Sequence, residues 1–167
     1  YALGRLQTAA GSYGSISYDR YGSISYTYDK VGNRLTRTIN GYLYTQIDTY
    51  SYITGTNKLN QITGSNPATF TYDANGNTIS INTKTLVYNQ NNRLIRVEEG
   101  ASVLGEYTYN GLGQRIVKEV GDVTMLFHYN FNGDIIAESL PDGTVNSEYL
   151  YMGSNRLAMV DVGSGKL

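Results

Sequence analysis

The chain has 167 residues, of which 17 are tyrosine and 19 are glycine, and its 13 Lys and Arg nearly balance its 14 Asp and Glu. The near-zero net charge argues against binding to nucleic acid or anionic membranes, and the absence of cysteine excludes disulfides and thiolate metal sites. No run of apolar residues has the length of about 18 that a membrane-spanning helix needs. Tyr, Thr, Ile and Val favour strands, and Gly and Asn favour tight turns, so the composition predicts an all-β chain.

The first residues of the chain contain a near-duplication. Residues 13–18 and 21–26 both read Tyr-Gly-Ser-Ile-Ser-Tyr, which we interpret as a degenerate repeat. We therefore expect a degenerate N-terminal repeat over residues 1–25, tandem β-hairpins over residues 26–162, and a Gly/Ser tail over residues 163–167 that leads to further chain.

From residue 26 onward one pattern recurs: an aromatic or large apolar residue, any residue, a tyrosine, a polar turn with Gly or Asn, and then an Arg-Leu or equivalent pair. Successive anchor tyrosines are 16 to 24 residues apart, which fits one β-hairpin with its connection. Residues i and i+2 of a strand share a face, so each repeat places two rings or large apolar side chains on one side. The anchor tyrosines are Tyr28, Tyr52, Tyr72, Tyr88, Tyr109, Tyr129 and Tyr151.

The polar residues after each anchor predict the hairpin turn. An Asp or Asn directly after the tyrosine can bond the backbone two residues on, and a residue four places after the tyrosine closes the loop if it adopts a left-handed conformation. Asn92 takes that place in the repeat of Tyr88, because Asn tolerates this conformation next best. The turn positions that we assign a structural role are Asp29, Gly32, Asn33, Asp73, Gly76, Asn77, Gly113 and Gly133.

The return strands and their connections follow. Arg34-Leu35-Thr36-Arg37-Thr38 alternates in the manner of a strand with one wet face. The arginines after the turns pair with turn carboxylates or lie over aromatic rings; they are Arg34, Arg93, Arg115 and Arg156. Residues 40–41, 99–100, 121–122 and 141–143 predict the reverse turns. The result is an antiparallel meander of about 14 strands, expected to twist into a spiralling strip whose two end strands are exposed edges.

The residues 28–35 and 72–77 resemble the tyrosine-aspartate (YD) repeats of the RHS family, and the resemblance extends over about residues 18–162. Residues 149–158 look like the last repeat before the core region of that family. The resemblance implies a large exported or cell-surface protein, whose spiral β-sheet forms a shell around a C-terminal toxin. The self-cleavage motif of the family core is not found in these residues, so no cleavage residue is assigned.

Three groups of residues invite a chemical role, and each has a plainer interpretation. His128, the single histidine, lies between Phe127 and Tyr129 and should be a polar cross-strand residue. Residues 73–77 resemble the start of a calcium loop, but the twelfth position is Lys84 where such a loop needs glutamate. The remaining carboxylates, Glu98, Glu99, Asp134 and Glu138, predict solvated strand or turn positions and not a glycosidase pair.

We therefore predict a non-catalytic structural module without cofactor or metal. Its expected partners are the remainder of its own YD-repeat chain and an enclosed toxin domain. Two alternatives stay open at this point. One is a surface array in which exposed tyrosines bind glycans or cells, and the other is an extracellular filament whose end strands join by strand addition. Nucleic-acid binding is not expected, because base stacking also needs a basic channel.

Overall fold

The computed structural model describes residues 6–10, 21–41 and 43–162. The first copy of the near-duplication, residues 13–18, and the tail, residues 163–167, lie outside the described residues. In the described part all regular structure is β, in fifteen strands that pair antiparallel and follow one another in chain order. This confirms the predicted all-β antiparallel meander. None of the described residues belongs to a helix that could cross a membrane.

The chain folds into two compact units. The first contains residues 1–73 and 80–82, and the second contains residues 74–79 and 83–167. The strands are β1 (Thr8–Ala10), β2 (Tyr21–Tyr28), β3 (Arg34–Gly41), β4 (Thr45–Tyr52), β5 (Leu59–Gly64), β6 (Ala68–Tyr72), β7 (Thr78–Ile81), β8 (Lys84–Tyr88), β9 (Leu94–Glu99), β10 (Ser102–Tyr109), β11 (Arg115–Val120), β12 (Val123–Tyr129), β13 (Ile135–Ser139), β14 (Val145–Met152) and β15 (Asn155–Asp161).

An Asp or Asn directly follows five of the seven anchor tyrosines at the start of the hairpin turn, whereas Ile53 and Met152 follow Tyr52 and Tyr151. After Tyr129, the Asn130 N–H donates to the Asp134 carbonyl at 3.0 Å, and the Gly133 N–H donates to the Asn130 carbonyl at 3.1 Å. The side-chain Oδ1 of Asn130 accepts the Asp134 N–H at 2.9 Å. A loop of this kind needs a left-handed residue at its end, and Gly133 has a φ of 89°. The equivalent residues also have positive φ: Gly32, Gly76, Asn92 and Gly113.

A β-bulge follows the turn in each described hairpin whose first strand ends at or near an anchor tyrosine and whose register is known. Tyr28 lies opposite Arg34, but Thr27 lies opposite Thr36, so Leu35 is an extra residue without a partner. In four of these hairpins the bulge falls on the second residue of the Arg-Leu or equivalent pair, and in the hairpins of Tyr52 and Tyr88 it falls one residue later. In each case it interrupts the alternation expected for the return strand. The extra residues are Leu35, Asn60, Ile95, Ile116, Ile136 and Leu157.

The reverse connections use different turns. Gly100 and Gly121 begin two-residue loops with φ of 60° and 57°, as the first position of a tight hairpin turn requires. The turn predicted at residues 141–143 is present, since the Leu140 N–H donates to the Thr144 carbonyl at 2.9 Å. The prediction of a turn at residues 40–41 is wrong. β3 continues through Gly41, whose N–H donates to the Tyr44 carbonyl at 2.8 Å, and the chain reverses after it.

The sheet has little fully buried apolar surface. Among the described residues, Ile39 and Phe127 are the hydrophobic side chains that are buried, each 8% exposed. The anchor tyrosines and their i−2 partners are otherwise half-buried. Stability must therefore come mainly from contacts between neighbouring strands and hairpins, as in other linear repeat arrays.

Candidate functional site: the tyrosine and arginine face

One face of the sheet carries the anchor tyrosines and their i−2 partners, and we call it the ring face. Residues directly opposite each other on antiparallel strands share a face. Arg115 lies opposite Tyr109, and Lys118 lies opposite Tyr107, so basic side chains from the return strand join the rings. The bulge at Ile116 is what places residues 115 and 118, three positions apart, on this same face.

The hydroxyl of an anchor tyrosine bonds the backbone of the preceding hairpin. The Tyr129 hydroxyl donates to the Arg115 carbonyl at 2.8 Å, and the Tyr151 hydroxyl donates to the Ile135 carbonyl at 2.9 Å. Arg115 and Ile135 are the first residues of return strands β11 and β13. The same bond joins Tyr52 to Arg34, Tyr72 to Leu59, and Tyr109 to Leu94. Each of these hydroxyls therefore satisfies a carbonyl next to a bulge and ties one hairpin to the one before it.

The arginines after the turns lie over aromatic rings. The guanidinium carbon of Arg115 is 4.6 Å from the Phe127 ring centre and 5.6 Å from the Tyr107 ring centre. Arg34 lies in the same way at 4.8 Å from Tyr26 and 5.4 Å from Tyr50. The Nε atoms of Arg34 and Arg115 are buried without a hydrogen-bond partner, so contact with the rings must offset part of their desolvation. Of the two roles predicted for these arginines, the structure shows the cation–π role.

Arg93 and Arg156 complete this group in the second unit. Their guanidinium carbons lie 5.7 Å from the Tyr109 ring centre and 5.1 Å from the Tyr149 ring centre. The Arg93 side chain also extends to the turn that follows Tyr109. A Cβ added at Gly113 in that turn would lie 2.2 Å from Arg93 Nη2. Gly113 is therefore required for its φ of 78°, and any side chain there would also displace the Arg93 guanidinium.

Turn side chains also connect neighbouring hairpins. Asn33 donates from Nδ2 to Asn57 Oδ1 at 3.0 Å, and Asn77 donates to Asn92 Oδ1 at 2.9 Å. Within its own turn, Asp29 accepts the Asn33 N–H at 2.7 Å. Burial would raise the pKa of Asp29, but hydrogen bonds from Asn33 and the loop backbone outweigh it and lower the pKa. Asp29 and Asn33 therefore bond to each other within one turn, and Asn33 and Asn77 also bond to a neighbouring turn.

Asp48, which the sequence interpretation missed, is the most buried side chain among the described residues, at 1% exposure. Its Oδ2 accepts Arg37 Nη2 at 2.7 Å, and its Oδ1 accepts the Asn66 N–H at 2.8 Å. Burial raises the pKa of Asp48, yet the bonds from Asn66 and Arg37 outweigh burial and leave the pKa below its ordinary value. The turn that delivers Asn66 contains Gly64, at which a Cβ would lie 2.0 Å from the Ile47 carbonyl oxygen. Residues 64–66 mark a turn in the sequence, but nothing in the sequence pairs that turn with Asp48, which lies 18 residues before Asn66.

Tyr149 makes the ring face's one described phenol-to-carboxylate bond, donating to Glu138 Oε1 at 2.5 Å. This bond from a neutral phenol, together with burial, raises the pKa of Tyr149 to about 12. The Glu138 carboxylate, which was considered above as half of a glycosidase pair, therefore already accepts a hydrogen bond from within the sheet. Asp134 accepts Asn130 Nδ2 at 3.0 Å, and Glu98 pairs with Arg96 at 2.7 Å.

His128 lies on the face opposite the rings, across from Ala137. Its Nε2 is 2.8 Å from the Ser139 Oγ, but Ser139 is only 4% exposed, so its hydroxyl cannot meet a substrate. In the ranges that the structure describes, no group of three or more His, Cys, Asp or Glu residues could hold a metal ion. His128, Asp134, Glu98 and Glu138 therefore all make bonds to neighbouring side chains of the sheet or its turns.

Known proteins with this pattern were identified by comparison. The family model of the teneurin YD-shell matches residues 15–166. The chain is 31% identical over 137 residues to the tRNA3(Ser)-specific nuclease WapA of Bacillus spizizenii, and 31% identical over 136 residues to the tRNA nuclease WapA of Bacillus subtilis. Each match covers 80% of this chain but 6% of the relative. Because the family model matches nearly the whole chain, including all seven anchor tyrosines, the chain belongs to the teneurin YD-shell family.

Proposed function

We propose that this chain is a non-catalytic wall segment of a large exported or cell-surface bacterial protein, whose YD-repeat hairpins form a shell around a C-terminal toxin. The observation that carries the proposal is the repeated joint in which an anchor tyrosine bonds the first return-strand carbonyl of the preceding hairpin. A joint that involves only neighbours lets a wall extend over many repeats without a central core.

The matches to bacterial nucleases support this proposal. The chain spans 6% of the length of each WapA relative, which leaves ample room for further repeats and for a separate catalytic domain in proteins of that size. The nuclease activity in their names belongs to those whole proteins. In this chain the Glu138 carboxylate and the Ser139 hydroxyl are hydrogen-bonded to Tyr149 and His128, which supports a non-catalytic role.

The test requires the protein at its native length, produced by its own host. Mass spectrometry gives the chain length, negative-stain imaging gives the particle shape, and limited proteolysis shows whether a C-terminal domain is protected. We expect a long chain, hollow particles, and protection that is lost in the Gly113→Ala variant but kept in Gly111→Ala. A native chain of about this length, or a C-terminal domain that is cleaved as fast as an unfolded peptide, would overturn the proposal.

The glycan-binding alternative is weaker on the same geometry. A ring that stacks on a sugar needs a free face, whereas the rings of Tyr107 and Phe127 are half-buried or buried and share Arg115. Assembly into filaments through the end strands remains a prediction from the sequence. The imaging described above tests it, because fibres in place of closed particles would favour strand addition.

A further inference from the structure

The sequence contains four Asn-Gly pairs, at residues 40–41, 75–76, 110–111 and 132–133. An asparagine side chain can cyclise when the backbone nitrogen of the next residue attacks its amide carbon, and glycine leaves that nitrogen unshielded because it has no Cβ. The nitrogen must first lose its proton, so a glycine N–H that is donated to a carbonyl is held back by that hydrogen bond. The structure therefore decides which of the four pairs is free to react.

The nitrogen is held in at least two of the pairs. The Gly41 N–H donates to the Tyr44 carbonyl at 2.8 Å, and the Gly133 N–H donates to the Asn130 carbonyl at 3.1 Å. Gly76 has the place of Gly133 in its own loop and nearly the same φ, 90° against 89°, so we expect its N–H to be held in the same way. These glycines stand at the end of a hairpin loop or in a strand, where the N–H is part of the backbone bonding.

The pair at residues 110–111 stands at the start of a loop and differs in both reacting groups. Gly111 is exposed, its N–H makes no hydrogen bond among the described residues, and a Cβ added there would meet nothing within 4 Å. Asn110 Oδ1 accepts the Leu112 N–H and the Gln114 N–H, each at 3.0 Å. The bond to the N–H two residues on folds the side chain back along the chain, toward the Gly111 nitrogen. Attack on the amide carbon places negative charge on Oδ1, which two N–H groups already face and therefore stabilise.

We propose that Asn110 deamidates spontaneously in the folded chain, through a cyclic imide formed with Gly111. The Gly111 nitrogen loses its proton to hydroxide and bonds to Asn110 Cγ, and the Cγ–Nδ2 bond breaks as Nδ2 takes a proton from water and leaves as ammonia. Water then adds to one of the two imide carbonyl carbons, and the bond from that carbon to the ring nitrogen breaks. Opening at Cγ gives an aspartate at this position, and opening at the backbone carbonyl carbon gives an isoaspartate. Water and hydroxide are the only other reactants.

The two products affect the loop differently. In the first described hairpin Asp29 holds the position of Asn110, and it accepts the N–H and the Nδ2 of Asn33 at 2.7 and 2.9 Å. Gln114 stands where Asn33 does and now accepts Asn110 Nδ2 at 2.7 Å. A rotated Gln114 amide would donate to the new carboxylate instead, so the loop accommodates aspartate. An isoaspartate lengthens the backbone before Gly113 by one methylene group, so it should loosen the loop.

Mass spectrometry of the chain, kept at mildly alkaline pH either folded or unfolded in guanidinium chloride, tests the proposal. Trypsin cleaves after lysine and arginine and leaves each Asn-Gly pair in a separate peptide, covering residues 38–58, 59–84, 97–115 and 119–156. We expect Asn110 to lose ammonia at least as fast in the folded chain as in the unfolded one. Folding should slow Asn40 and Asn132 about fivefold or more, because a hydrogen bond of the glycine nitrogen must break first. Both aspartate and isoaspartate should appear at position 110.

The variant Gly111→Ala shields the attacking nitrogen without displacing a neighbour. It should largely suppress the reaction of Asn110 in the folded chain, while Asn132 in the same sample keeps its rate and serves as the internal control. Circular dichroism verifies that both chains remain folded during the incubation. The proposal is overturned if folding slows Asn110 as much as Asn132, or if any of the other three pairs reacts faster than Asn110 in the folded chain.

Discussion

The Tyr129 hydroxyl donates a 2.8 Å hydrogen bond to the carbonyl of Arg115, the residue whose guanidinium lies 4.6 Å from the Phe127 ring centre. Phe127 and Tyr129 stand two residues apart on β12, so one strand holds both the backbone and the side chain of Arg115. Tyr50 and Tyr52 hold Arg34 in the same two ways. In these two repeats the aromatic-x-Tyr pair therefore contacts both the side chain and the backbone of the first residue of the preceding return strand.

Removing the hydroxyl of Tyr129 should weaken this pair of contacts. Tyr129→Phe leaves the ring in place but removes the donor to the Arg115 carbonyl, so we expect unfolding in urea to show a loss of about 1 kcal/mol. Tyr107→Phe is the control, because the Tyr107 hydroxyl makes no hydrogen bond among the described residues and its loss should change stability by less than about 0.5 kcal/mol. Equal losses in the two variants would show that the joint contributes nothing.

Two glycines in one turn should respond differently to alanine. Gly113 has a φ of 78° and an added Cβ would clash with Arg93, whereas a Cβ at Gly111 meets nothing within 4 Å. Gly113→Ala should cost about 1–3 kcal/mol, and Gly111→Ala should cost less than about 0.5 kcal/mol. Thermal or urea denaturation measures both, and comparable melting of the two variants would contradict the assigned turn geometry.

Asp48 should make the first unit sensitive to acid. Its folded pKa is below the ordinary value of 3.8, so its contribution is complete above that value and is lost as pH falls through the folded pKa. Asp48→Asn should cost about 2–3 kcal/mol at pH 7, because Arg37 loses its partner, and should flatten the loss of stability below about pH 4. Asp122→Asn, in an exposed loop, controls for the change in net charge and should leave stability at pH 7 within about 0.5 kcal/mol. If Asp48→Asn loses stability in acid as steeply as the native chain, the bonds of Asp48 to Arg37 and Asn66 are not the source of the acid sensitivity.

Tyr149 should ionise later than an ordinary tyrosine. Its pKa is raised from 10.0 to about 12, first by the bond to Glu138. Because the folded pKa is the higher one, the associated stability is complete below about pH 10 and is lost as pH rises toward the folded value. Glu138→Gln should lower the pKa of Tyr149 toward its ordinary value, as observed by NMR of ring-labelled tyrosine. Glu119→Gln, on the opposite face, should leave that pKa unchanged, and a shift of similar size there would rule out a local cause.

The order of the hairpins and the turn residues could be predicted because they depend on local chemistry. Gly133 and Asn92 sit four residues after a tyrosine, and positive φ at such a place is a property of the residue type. The turn expected at residues 40–41 failed for a related reason. Asn-Gly is compatible with a hairpin turn, but pairing of β3 with β2, in which Gly41 lies opposite Tyr21, extends the strand through Gly41.

Three features could not be predicted because each depends on which residues lie opposite one another: the bulges, the hydrogen bonds of the anchor tyrosine hydroxyls, and the contacts of Asp48 with Arg37 and Asn66. Leu35 reads as an ordinary strand residue until the register leaves it without a partner. Asp48 reads as an exposed strand residue, and only the pairing of β4 with β3 places it beside Arg37. The same limit applies to charge, because composition gives its total while the register gives its distribution between the faces.

The acceptor in the tyrosine joint is a backbone carbonyl, and that has a consequence for how such arrays change over generations. Arginine, leucine and isoleucine all occupy the acceptor position, at Arg34, Leu59 and Ile135, because every amino acid offers the same oxygen. A hairpin that is duplicated, deleted or exchanged therefore still finds an acceptor for this hydroxyl bond, whatever residue stands at the acceptor position. The same tyrosine-to-carbonyl bond can form between hairpins of different sequence, so the number of repeats can change while the contact between neighbouring hairpins stays the same.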